Sequence, residues 1–426
     1  MRRLKQKETL WALADQTQGE LLELCSQLVR CPNVNPPIEA EAITALIEAY
    51  FQKYGIPYEK HEPFPGHPVL IATVGDGTGG SICINGHTDT VPPGDESKWA
   101  FPPYCGTITD TQILGRGTSD MLCGVAIGMH MARLVVEKGL RLHGNLVLHL
   151  VPDEESGGEF GSKWLGDQGY ADGLMGALFP EPTSWCNFEV GQKGGLRYLV
   201  KCSGTQAHAS VCSFHHDHAA LKMLALLERL DEMRTIQSVF SPEQLPVVAS
   251  SKEVARTMLR NELVGDAIDH VTYNVNAITC GGEGRSPMEY CTANVNFGIP
   301  VGVEPAKVKA AFDELIRSTG YSGITYEILR DREPCFTPAD AEIVQVGLEY
   351  ASHLCGKTVV PAYQWAASDA KWYRYRGIPA LQYGPANIDG VHGYSESADI
   401  EEIMNTQKTY WAILDDLLGI DWAEEA

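Results

Sequence analysis

Along the first part of the chain, short apolar runs alternate with longer stretches whose apolar residues recur every three or four positions. The runs VLIATVG (69–75), SICING (81–86), GNLVLHLV (144–151) and GALFPEP (176–182) predict strands, and MLCGVAIGMHMARLVVEKG (121–139) predicts a helix. Residues 19–54 read as one or two helices, interrupted at CPNVNPP by prolines that a helix interior excludes. The opening MRRLKQKETLWALADQ predicts an amphipathic helix; no continuous apolar segment follows its basic start, so it is a poor signal peptide. Strands that alternate with helices predict a layered α/β domain.

From about Lys193 the order changes. GGLRYLVKCSG predicts a strand, DHAALKMLALLERLDEM a helix, DHVTYNVNAITCGG and MEYCTANVNFGIP two strands, EPAKVKAAFDELIRSTG a helix and ITYEILRD a last strand. That β-α-β-β-α-β order is the ferredoxin-like arrangement. After it come a helix at AEIVQVGLEYASHLCG, a strand at IPALQYGP and a final helix from about Asp399 to Leu418. The expected architecture is an α/β domain in two parts, 1–192 and 333–426, with a smaller α+β domain, 193–332, inserted between them.

Composition narrows the function classes. A length of 426 residues suits two or three domains, and 44% hydrophobic with 21% charged residues is ordinary for a globular protein. The net charge of −22 disfavours nucleic acid and anionic membrane as partners, because both would repel it. No run approaches the roughly 18 apolar residues of a membrane span. The 12 cysteines are scattered without a C-x-x-C pair, several of them within apolar runs (Cys83, Cys202, Cys291), and read as buried thiols of a cytoplasmic protein without a disulfide framework.

The chemistry gathers where strands end. LHLVPDEESGGE (148–159) delivers Asp153, Glu154 and Glu155 into a glycine-rich turn; SICIN is followed by His87 and Asp89; ILGRGTS ends at Asp120; ALFP is followed by Glu181; and ALQYGP precedes His392. Taken singly, each has an ordinary use: a solvated loop, a helix N-cap for Asp120, a turn residue for Glu181, a surface histidine for His392. Taken together they point elsewhere, because ligands collect at the carboxyl ends of strands in open α/β sheets. Imidazole and carboxylate without thiolate suit zinc, cobalt or manganese, and five such residues exceed the needs of one tetrahedral ion, which favours two ions sharing a carboxylate. Such a pair activates a water and polarises a carbonyl. Of the adjacent glutamates one would bind metal and the other serve as base, and Asp153 is left to solvation.

The segments GHTDTVPPG, PPYCGTITDTQILGRGTSDM with Trp99 before it, PDEESGG, PEPTS and VHGYSESADI resemble, in order and spacing from about residue 20 to 415, the metallopeptidase family of acetylornithine deacetylase, succinyl-diaminopimelate desuccinylase, aminoacylase and glutamate carboxypeptidase. The resemblance implies a zinc-peptidase-like three-layer catalytic domain and an inserted lid that also dimerises. It implies His87 and Glu181 on one metal ion, Glu155 and His392 on the other and Asp120 bridging both. Asp89 would orient His87, Glu154 would be the general base, and a cis peptide would follow Asp120. His208, in GTQAHAS, would donate to the developing oxyanion, whereas His215, His216 and His218 read as a solvated helix start. Two departures concern the substrate: Gly298 stands where many relatives have a carboxylate-clamping arginine, and Arg285 in GGEGRSP is the candidate replacement. Leu122 and Cys123 also replace the lysine and glycine that relatives favour, and Cys123 reads as a core thiol.

The expected activity is hydrolysis of a C–N bond, the amide of a small N-acyl amino acid or dipeptide-like compound, by metal-activated water. The alternatives are hydrolysis of an amino group on an activated aromatic or heterocyclic ring, and a non-catalytic metal-binding scaffold. Two divalent ions, a small-molecule substrate and a homodimer or higher homo-oligomer built through the lid complete the expectation.

Overall fold

A computed structural model describes residues 2–184, 187–214, 217–282 and 284–422. The chain forms two compact units, one of Met1–Val190, Thr337–Ala362 and Ser368–Ala426, the other of Gly191–Phe336 and Tyr363–Ala367.

In the first unit the strands Tyr58–His61 (β1), Val69–Gly75 (β2), Ser81–His87 (β3), Asn145–Val151 (β4), Leu174–Phe179 (β5), Asn187–Gln192 (β6) and Ala380–Gln382 (β7) stand in the spatial order β1-β2-β4-β3-β5-β7-β6. The central strands β4, β3, β5 and β7 are parallel, so their carboxyl ends share one edge. Side chains alternate across the sheet. Ile84 and Leu148 meet the helix Cys123–Glu137, where Gly128 allows an approach that would put a Cβ 3.2 Å from Ile84. Cys83, Val147 and Phe179 face the opposite way, in a core completed by Leu165, Ala370, Trp372 and Tyr373 of the short helices Ser162–Asp167 and Ala370–Arg374. The result is the three-layer arrangement of helix, sheet and helix. The helical stretch Thr118–Glu137 is apolar enough to pass for a membrane span, but 94% of its apolar window is buried within the fold.

The strand β6 had no counterpart in the sequence reading. NFEVGQ alternates polar and apolar residues but has only Phe188 and Val190 as apolar side chains, whereas all six of its residues are buried, Asn187, Glu189 and Gln192 included. A small sheet of Thr107–Ile108, Gln112–Leu114 and Ser397–Asp399 ties the last part of the chain to the segment before Asp120, with Ser397 opposite Leu114.

The second unit is a four-stranded antiparallel sheet ordered Thr272–Cys280, Tyr290–Ile299, Gly194–Ser203, Ile324–Arg332. Tyr198, Val200, Val295 and Phe297 cover one face, packed with Met223 and Leu226 of the helix Ala219–Leu227 and Val308 and Phe312 of the helix Pro305–Ser318. An additional helix, Leu245–Leu259, escaped the sequence reading because Ser251, buried on its inner face, breaks the apolar stripe. The reading of every cysteine as a thiol is corrected at two positions: Cys280 and Cys291, directly opposite on neighbouring strands, form a disulfide.

Candidate active site

Register assembles the first residues of the site. His87 ends β3 opposite Val151 of β4, whose chain continues into Asp153, Glu154 and Glu155. On the other side Ile84 pairs with Leu178 of β5, so three residues further on both strands bring His87 level with Glu181. His87 is 2% exposed and Glu181 5%, and their Nε2 and Oε2 atoms lie 3.8 Å apart.

Asp120 enters from the turn before the helix Cys123–Glu137, and the Asp120–Met121 peptide is cis. Its Oδ1 is 2.9 Å from His87 Nε2 and its Oδ2 is 3.1 Å from His392 Nε2. The latter nitrogen is also 3.2 Å from Glu155 Oε1. Ligand-type atoms of His87, Asp120 and Glu155 all lie within 4.8 Å of one another. Five of the expected metal residues thus converge at one sheet edge.

Buried supports hold these groups. Asp89, fully buried, accepts from the Glu154 N–H at 3.2 Å, the Glu155 N–H at 3.1 Å and Asn35 Nδ2 at 2.8 Å. The nearest acceptor for His87 Nδ1 is the Asp89 backbone carbonyl at 2.9 Å, with the Asp89 carboxylate at 3.4 Å. The aspartate therefore organises the glutamate turn as much as the imidazole. Glu396 Oε1 accepts the backbone N–H groups of Ser119 at 2.9 Å and Asp120 at 3.1 Å, while its other oxygen pairs with Arg116. The Arg116 guanidinium lies over the Trp99 ring, 5.0 Å from its centroid, and donates to the Gly393 carbonyl at 2.7 Å.

The electrostatics call for positive charge. Burial raises Glu154, Glu155 and Glu181 above the ordinary carboxylate range, and neighbouring acids add to it: Asp369 for Glu154, Asp120 for the other two. Burial disfavours charged His87, but its bonds to Asp120 and Asp89 prevail and raise its pKa. Asp120 and Glu155 bring His392 to about 11. Glu181 Oε1 is buried without a hydrogen-bond partner among the described residues, an arrangement that costs free energy unless something electropositive meets it. Two imidazoles, converging carboxylates and an orphaned oxygen fit divalent cations of the zinc, cobalt or manganese type.

Asp153 departs from its assignment to solvation. It is 1% exposed, accepts the Phe160 N–H at 2.8 Å, and is raised to about 7 by burial and by Asp369. The sequence reading also missed Asp369, Lys371, Glu396, Arg116 and Asn35. Asp369 lies against Gly158, where a Cβ would come within 2.0 Å of its Oδ1. ASDAKW and YSESAD carry no local pattern that separates such supports from loop acids. Cys123, fully buried, is the core thiol it was read as.

Three expected residues belong to the second unit. His208 is exposed, with Nδ1 2.7 Å from Ser210 Oγ. Arg285 is exposed in the turn after Cys280, its guanidinium 3.5 Å from the centroid of the Tyr290 ring. At Gly298 a Cβ would lie 2.6 Å from Thr272 Oγ1 and 3.1 Å from Lys193 Cε, so no larger side chain fits beside that lysine. His218 is half-buried and immediately precedes the helix Ala219–Leu227; His215 and His216 lie outside the described residues.

Residues 83–416 match the sequence profile of peptidase family M20/M25/M40. An uncharacterized metallohydrolase of Methanocaldococcus jannaschii is 26% identical, over 93% of this chain and 98% of its own. A probable succinyl-diaminopimelate desuccinylase of Staphylococcus epidermidis is 25% identical over 77% of this chain and 80% of its own. An N-formyl-4-amino-5-aminomethyl-2-methylpyrimidine deformylase of Halalkalibacterium halodurans is 25% identical over 94% and 95%. Among solved structures, an M20 family metallo-carboxypeptidase of Sulfolobus solfataricus superposes with a TM-score of 0.78 at 18% identity, covering 93% of this chain and 98% of its own. A dinuclear metal-binding M20 peptidase of Bacillus subtilis gives 0.61 at 14%, covering 94% and 98%.

Proposed function

The chain belongs to peptidase family M20/M25/M40 and is a metallohydrolase of amide bonds, and on that premise we propose that it cleaves the C–N bond of a small N-acyl amino acid or dipeptide-like substrate. The reading rests on one observation above all. The turn after β4 is pinned through both glutamate N–H groups to Asp89, which gives two adjacent carboxylates different surroundings. Glu155 approaches His392; Glu154 does not share that contact, and burial and Asp369 raise it well above the ordinary carboxylate range.

In this proposal His87 and Glu181 hold one divalent ion, Glu155 and His392 a second, and Asp120 faces both, with zinc preferred over cobalt or manganese. The bound ions supply Lewis acidity toward water and the carbonyl oxygen. Glu154 takes the proton of the attacking water and delivers it to the leaving nitrogen, so its protonation state cycles with each turnover. Asp89 keeps the turn and His87 in register. His208 donates to the oxyanion, and Arg285 meets an anionic group of the substrate. The edge strand Thr272–Cys280, exposed along most of its length with Ile278 52% exposed, supports a homodimer formed through the second unit. The cytoplasm is the proposed compartment.

A second reading, hydrolysis of an amino group on a heteroaromatic ring, draws on the relative named as a pyrimidine deformylase. Assay of zinc- or manganese-loaded protein on N-acyl amino acids, dipeptides and aminopyrimidines separates the two. Glu154→Gln should retain metal and lose about 10²–10⁴-fold in kcat, whereas Asp120→Ala should lose metal and activity together. A fully active Glu154→Gln protein would remove the mechanism.

A further inference from the structure

The second unit carries a cavity of about 260 Å³ against the outer face of its sheet, lined in part by Lys193, Arg197, Tyr273, Gly298, Arg330 and Trp365. We propose that this cavity binds the carboxylate of a small organic acid, with the Arg197 guanidinium as its clamp.

The sheet register builds the site. Asn274 pairs with Asn296, Asn296 with Arg197, and Arg197 with Arg330, so four polar side chains stand in one row across the four strands. In the adjoining row Gly298 pairs with Gly195, and the absence of two side chains leaves room above the sheet. Asn296 Oδ1 accepts from Arg197 Nε at 3.0 Å, which fixes the plane of the guanidinium. Its two terminal nitrogens have no partner among the described residues. Lys193 is buried in the wall, its ammonium held by the Ala267 carbonyl at 2.8 Å, the His270 carbonyl at 3.3 Å and Thr272 Oγ1 at 2.9 Å.

Charge argues for an anion. The lining contains three basic residues and no acidic one, in a chain of net charge −22. A planar fork with free parallel donors matches a carboxylate. The volume suits a carboxylate with a short body, and Trp365 is among the residues that line it. This contact is separate from the one proposed for Arg285. Asn296 is five strand residues from Cys291, about 17 Å at 3.4 Å per residue, and Arg285 lies in the turn beyond that end.

The carboxylate has two sources, the substrate itself or a separate organic acid. Only the first rests on the proposed hydrolysis, and binding is measured without turnover. Phenylacetate is titrated into the full-length, metal-loaded protein by calorimetry, with 2-phenylethanol as its uncharged counterpart. Phenylacetate should bind saturably and 2-phenylethanol should not. Arg197→Met should weaken binding about ten-fold or more and Arg197→Lys less. Competitive inhibition by phenylacetate, with a raised KM and unchanged kcat in Arg197→Met, assigns the site to the substrate's own carboxylate. Binding that leaves KM for an N-acyl amino acid unchanged assigns it to a separate acid. No saturable binding to the native protein, preference for inorganic phosphate, or undiminished affinity in Arg197→Met would each overturn the proposal.

Discussion

Replacing Glu396 by glutamine tests whether the Asp120 turn is held in place from behind. The carboxylate is 0% exposed and takes three donors, Ser119 N–H, Asp120 N–H and Arg116, the last itself 2% exposed. Burial pushes Glu396 above the ordinary carboxylate range, against Arg116 and the Asp120 N–H, and an acceptor surrounded by three donors is ionised in this geometry. Glutamine keeps the shape and an acceptor oxygen but removes the charge and turns an NH₂ toward a donor. Breaking a buried pair costs about 3–5 kcal/mol, and weakening two charge-assisted bonds to neutral ones costs roughly 1 kcal/mol each; the terms share one group and do not add fully, so about 4 kcal/mol is expected. Metal affinity should fall about 10–100-fold, because Asp120 loses its orientation. Guanidinium denaturation followed by circular dichroism, with chelator competition for zinc, reads both effects. The double variant Arg116→Met with Glu396→Leu should recover part of the stability but not the affinity, since both N–H groups stay unpaired. Loss of less than about 1 kcal/mol with unchanged affinity in Glu396→Gln would refute the buttress.

Further outcomes follow from other buried groups. Burial lowers His149 to about 3 and His130 to about 4 from 6.5; both bind protons on unfolding, so stability present above pH 6.5 is lost as pH falls toward 4. The slope should reach about 1.4 kcal/mol per pH unit for each histidine, His149→Gln should flatten it, and equal denaturation midpoints at pH 5 and 7 would contradict it. Gly158→Ala, at φ +72° with its Cβ 2.0 Å from Asp369 Oδ1, should cost at least about 2 kcal/mol and lower kcat, checked by thermal unfolding and steady-state assay. Chelation should abolish turnover and lower the melting temperature, by an amount corresponding to about 4 kcal/mol if free metal had stood at 1,000 times Kd; a melting curve unmoved by chelator and by zinc restoration would count against a metal at these residues.

Much of the architecture was legible because periodicity reports half-exposed elements well. The runs at 69–75, 81–86 and 144–151 became adjacent strands, and the β-α-β-β-α-β order became the four-stranded sheet of the second unit. Asn187–Gln192 was silent because a short run with only Phe188 and Val190 apolar gives little sign that its Asn187, Glu189 and Gln192 are buried as well, and Leu245–Leu259 because one buried serine interrupts its stripe. His87, Asp120, Glu155, Glu181 and His392 were legible because each follows a strand or opens a helix, positions the sheet topology then brings together. The supports were not. Glu396, Asp369 and Asn35 act through contacts with residues far away in sequence, and Asp153 is an acid that looks wet until its turn is seen folded over it. Gly298 was visible as a departure, but its reason, the course of the Lys193 side chain beneath it, is a matter of packing alone.

The small sheet joining Ser397–Asp399 to Gln112–Leu114 has a bearing on biosynthesis. The segment 392–399 carries both His392 and the carboxylate that braces Asp120, so the site lacks a ligand-type side chain and its brace until this segment, which follows residues 191–336 in the chain, has left the ribosome. Residues 191–336 of the second unit are by then complete and contiguous, free to fold as a domain ahead of the sheet they interrupt. Metal capture at the proposed ligands would then follow synthesis of residues 191–336, and a chain cut before residue 392 should bind metal more weakly than the full chain.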